Sequence, residues 1–123
     1  MKTISSLALL AASLLLIASV DANAEIRVRC EKRADRSVIS VDGSNLVPGV
    51  YSAQVISGTN QKTSAQANSI GDQAEFDFSS QPRDIAAGAI AIGKAFIQGQ
   101  VTGKILNSNG ATVISDTVKC RTK

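Results

Sequence analysis

The sequence predicts an all-β domain: a single antiparallel β-sandwich of about seven or eight strands, preceded by a cleaved signal peptide. Two observations carry the fold class. Short segments alternate apolar and polar residues with a period of two, and clusters of Gly, Pro, Asn, Asp and Ser separate them. A third observation fixes the setting: the only two cysteines, Cys30 and Cys120, lie near opposite ends of the segment that follows an apolar leader.

Lys2 provides a positive start, Ile4 to Val20 is apolar, and Ala22-Asn23-Ala24 supplies small residues where a signal peptidase cuts. The expected division is residues 1–24 as signal peptide and 25–123 as the β-sandwich domain. An uncleaved membrane anchor is the alternative, but Ser5, Ser6 and Ser13 break the stretch. Nothing after the leader is long and apolar enough to span a bilayer, so the expected product carries no transmembrane segment and is periplasmic or extracellular. In such a compartment a Cys30–Cys120 disulfide persists. Closing a loop of that length stabilises by roughly 4–5 kcal/mol in the chain-entropy model. A metal site is the other use of cysteine, but with no histidine and no third cysteine it lacks soft ligands.

Glu25–Arg33 reads as the first strand, with Ile26, Val28 and Cys30 on one face and Arg27, Arg29 and Glu31 on the other. Ala34-Asp35-Arg36 is a turn, and Ser37–Val41 a second strand. Asp42–Asn45 and Pro48-Gly49 carry turn chemistry. Val50–Ser57 follows as a strand with Tyr51, Ala53 and Val55 inward. Gly58–Asn68 is polar, a loop or weak edge strand. Ala74–Phe78 places Phe76 and Phe78 inward and Glu75 and Asp77 outward, and Ser79–Asp84 is a loop. Ile85–Ile97 fits a short helix or one or two interrupted strands; strand or irregular structure is preferred, because Gly88 and Gly93 weaken a helix by about 1 kcal/mol each. Gly99–Leu106 and Ala111–Arg121 form a final hairpin turning at Asn107-Ser108-Asn109-Gly110.

Asn45-Leu46-Val47-Pro48-Gly49-Val50-Tyr51 resembles the L-x-P-G-x-Y turn and strand of immunoglobulin-like β-sandwich modules. In those modules the Leu and Tyr pack inward and Pro-Gly turns the chain, which implies the same for Leu46 and Tyr51. The whole mature chain is similar to small secreted proteins of proteobacteria. It departs from antibody domains, whose cysteines bridge two interior strands, and from chaperone-assembled pilins, so no family's functional residues carry over.

Catalysis is not expected. The commonest general base is missing, and no serine lies in a G-x-S-x-G or S-x-x-K arrangement. Glu75 and Asp77, with Asp72 before them, either solvate the outer face of a strand or form a weak cation site; the first reading is preferred, and no metal or cofactor is expected. A small hydrolase is the least favoured function.

Charge placement gives the candidate contact surface. If the disulfide makes the first and last strands neighbours, Arg27, Arg29, Lys119 and Arg121 converge, extended at one end by Lys32, Arg33 and Arg36 and at the other by Lys123. An anionic envelope component, or another envelope protein, is the expected partner. Nucleic acid is not, since no aromatic residues interleave the basic ones to stack bases. Solubility and protection of a sheet edge explain the same charges, and more simply, because Glu31, Asp35 and Asp116 dilute the patch. The Ile85–Ile97 run is read as core before partner surface. The functional expectation is therefore a secreted, non-catalytic binding or structural module. Its alternative is a subunit of a surface assembly that pairs through an edge strand.

Overall fold

Alternation along Glu25–Arg33 (β1) and Arg36–Ser44 (β2) makes a hairpin joined by Ala34-Asp35, with Arg33 opposite Arg36 and Glu25 opposite Ser44. A computed structural model describes residues 23–123. The apolar leader and Ala22 of the cleavage motif lie outside them. The chain continues as β3 (Val50–Ser57), β4 (Asn60–Thr63), β5 (Ala67–Asn68), β6 (Ala74–Ser79), α1 (Pro82–Ala86), β7 (Ile90–Ala91), β8 (Gln100–Asn107), β9 (Thr112–Lys119) and β10 (Arg121–Thr122). The first sheet has the order β10-β1-β2-β6-β7; the second runs β4-β3-β8-β9, with β5 also on β3.

The inward faces of both sheets meet in one core. Val28, Ile39, Val41, Phe76 and Phe78 from the first sheet pack with Tyr51, Ala53, Val55, Val101 and Ile105 from the second. Each large side chain removed from water contributes about 1.5–3 kcal/mol. Leu46 and Tyr51 are both buried, and the Tyr51 hydroxyl donates to the Val47 carbonyl, tying β3 to the turn before it.

Among the described residues, seven strands have four or more residues, and all but β4 follow alternating segments. Three two-residue strands add to them, and two of these, β7 on β6 and β10 on β1, pair in parallel, so the sheets are not purely antiparallel. The polar segment 58–68 does pair: β4 lies on β3, and Ser64 replaces the next rung by accepting from the Ala53 N–H through Oγ at 2.9 Å. The expected loop at Ser79–Asp84 instead runs into a helix. Pro82 starts α1, and the Ser79 hydroxyl reaches the Asp84 carboxylate at 2.7 Å. Ile85–Ile97 therefore splits three ways: it closes α1, forms β7, and ends in an irregular stretch that buries Phe96 and Ile97. Two fully buried serines hold that stretch. Ser37 Oγ donates to the Lys94 carbonyl at 2.6 Å, and Ser57 Oγ accepts from the Gln98 N–H at 2.7 Å.

The final hairpin forms where the Asn-Gly signal places it. Asn107 Oδ1 accepts from the N–H groups of Asn109 (2.9 Å) and Ala111 (3.0 Å), and Gly110 takes the positive φ, 82°, that closes the loop. A bulge follows where Ile105 faces Ile114 but Leu106 faces Thr112, and Val113 turns into the core.

Candidate functional site

Cys30 points inward from β1, and Cys120 is the single residue between β9 and β10 where the chain passes from the second sheet to the first. Their Cα atoms are 4.8 Å apart and the disulfide is formed, 90 residues apart in sequence. The bridge pins β10 beside the end of β1, with Glu31 opposite Arg121 and Lys32 opposite Thr122.

The candidate cations are divided by this geometry. Arg27 and Arg29 face outward from β1, and the register sets Arg27 level with Asp42 on β2 and Glu75 on β6, and Arg29 level with Ser40 and Asp77. Thus the arginines and the carboxylate pair share one sheet face, two strand spacings or about 10 Å apart. Arg29 bonds Asp42 at 3.2 Å while its side chain stays 63% exposed, and Ser40 Oγ bonds Asp77 at 3.2 Å. Among the described residues no group of three or more His, Cys, Asp or Glu is arranged to hold a metal ion.

Three of the four candidates do meet. Arg29, Lys119 and Arg121 line one groove of about 440 Å³ that passes over the disulfide, with Val28, Val38 and Val118 as its apolar walls. Arg27 lines a separate groove, with Asp42, Glu75 and Asp116. Because β10 runs parallel to β1, Lys123 lies at the same end as Arg33 and Arg36, not at the opposite end as expected, and its N–H donates to the Lys32 carbonyl at 3.0 Å.

Glu31 is the acid at the centre of this basic end. Arg33 Nε bonds its carboxylate at 2.5 Å. That hydrogen bond holds the Glu31 carboxyl below its usual value; partial burial opposes the shift, and the charges of Arg33, Lys123 and Arg36 add to it. The valine walls were the part of the groove that alternation alone did not mark: Val38 faces outward from β2, and Val118 lies on the edge strand β9. No protein-family model matches the sequence, and a search of curated proteins finds no match either.

Proposed function

We propose that this chain is an exported, non-catalytic binding module of the cell envelope that takes an anionic partner at the groove over its disulfide. The observation that carries the reading is the meeting of Arg29, Lys119 and Arg121, drawn from three strands, around a valine-walled groove. Glu31, which also lines the groove, is engaged by Arg33, and Arg29 keeps its side chain 63% exposed while it bonds Asp42. The disulfide supports an oxidising compartment, periplasmic or extracellular.

The strand order supports an immunoglobulin-like sandwich. Taking β1, β2 and β6 as strands A, B and E, and β3, β8 and β9 as C, F and G, gives the partition of that fold between its two sheets. The bridge differs, joining the first strand to the last segment and not B to F.

The test is binding of the intact chain to vesicles containing anionic lipid and to a heparin-like polymer across a salt series. Binding is expected to weaken with salt. Replacing Arg29, Lys119 and Arg121 together by serine should cost roughly a hundredfold on vesicles, at about 1 kcal/mol per cation. Arg27→Ser, in the other groove, should change little. A triple variant that binds like the parent overturns the reading.

A further inference from the structure

The chain from Ile85 to Gly93 carries no polar side chain, and Arg83 and Lys94 flank it. A run of this composition reads as core, yet the fold buries only part of it. Ile90 and Ile92 pack partly against the core. Ile85 keeps 37% of its surface in water, and Ala86, Ala87, Ala89 and Ala91 are exposed. A Cβ added at Gly88 or Gly93 would meet nothing within 4 Å, so those positions face open space as well. The cause is topological: α1 leaves β6, and the chain returns as the two-residue edge strand β7, too short to turn the run inward.

Charge at this end of the sandwich says what covers the segment. α1 follows the end of β6 that lies beside the β1–β2 turn, since Ser79 is opposite Val38 and the Ser80 N–H donates to the Ser37 carbonyl at 3.0 Å. The Ser37 hydroxyl holds the Lys94 carbonyl at the same end. Lys32, Arg33, Arg36, Arg83, Lys94 and Lys123 therefore gather there. The acids among them are Asp35, Glu31, which Arg33 binds, and Asp84, which accepts from the Ser79 hydroxyl. By strand order these cations reach from β10 to β6, three strand spacings or about 14 Å. That exceeds the Debye length of about 8 Å, so a small anion feels only some of them and an extended anionic surface feels all. The opposite end lacks this match: Ile70 is 87% exposed, but the charges around it are Glu25 and Asp72.

We propose that the α1 end docks on a membrane containing anionic lipid. The Ile85–Ala91 segment enters the headgroup layer, and the surrounding Lys and Arg meet lipid phosphates. This assignment rests on the reading that the partner is anionic and names that partner as a lipid surface.

The test uses the intact, disulfide-bonded chain and its Ala89→Trp variant, whose indole is a single reporter because the sequence has no tryptophan. Vesicles containing phosphatidylglycerol, vesicles of phosphatidylcholine alone and the heparin-like polymer are compared. Expected is a blue-shifted emission, quenched by brominated acyl chains, on the phosphatidylglycerol vesicles only. Ile85→Ser combined with Ala87→Ser should lower vesicle affinity about tenfold and leave polymer affinity unchanged. Ile70→Ser, at the other end, should alter neither. Vesicle binding without the emission shift, a double variant that binds vesicles like the parent, or polymer binding without vesicle binding overturns the membrane assignment and leaves the anionic groove standing. Failure of both vesicles and polymer to bind overturns the two readings together.

Discussion

Gly103 on β8 sits directly over Val28 on β1: a Cβ added at Gly103 would lie 2.7 Å from Val28 Cγ2 and 3.2 Å from Val41 Cγ2. The two sheets approach this closely because neither side carries more bulk. Gly103→Ala is expected to force them apart and to cost about 1–3 kcal/mol, read as a lowered urea midpoint. Combining it with Val28→Ala should cost less than the sum of the two single changes, since the second removes the methyl that the first strikes.

Cys120→Ser releases the constraint on a 90-residue loop and the docking of β10. The expected loss is about 4–5 kcal/mol from the unfolded chain alone. Chemical denaturation with and without reductant checks it: reductant should shift the parent toward the variant and leave the variant unmoved.

Glu31 makes stability depend on pH in a defined direction. Its folded value lies below the ordinary 4.5, so its contribution is present above that pH and is lost as pH falls through the folded value. Glu31→Gln should flatten the acid limb of the stability profile. Parallel acid limbs for Glu31→Gln and the parent would remove Glu31 as the source.

Much of this architecture is legible residue by residue. The alternation of Ile26, Val28 and Cys30 with Arg27, Arg29 and Glu31 specifies β1 and its two faces, and Phe76 and Phe78 do the same for β6. The Asn107–Gly110 turn and the disulfide follow equally directly. What is not legible depends on neighbours distant in sequence. β4 has no apolar pattern, because its pairing comes from the β3 backbone. The irregular stretch before β8 is held by Ser37 and Ser57; the period of two puts both on the inward face, in phase with Ile39 and Val55, but says nothing of the distant backbone they bond. The placement of Arg27 level with Glu75 follows from β2 lying between β1 and β6, a matter of strand order. Two-residue β10 runs parallel to β1 only because Cys120 delivers it there, and that direction carries Lys123 to the same end as Arg36.

The Cys30–Cys120 bond also decides how the molecule carries load. Tension applied to the chain on either side of the bridge passes from β1 through the two sulfurs to β10, and the residues between them bear none of it. Only chain outside the bridge can extend, by at most about 3.3–3.6 Å per residue. While the covalent bond stays oxidised, pulling can peel away only Glu25–Arg29 of β1 and the short β10, and everything between the two cysteines is shielded from the load.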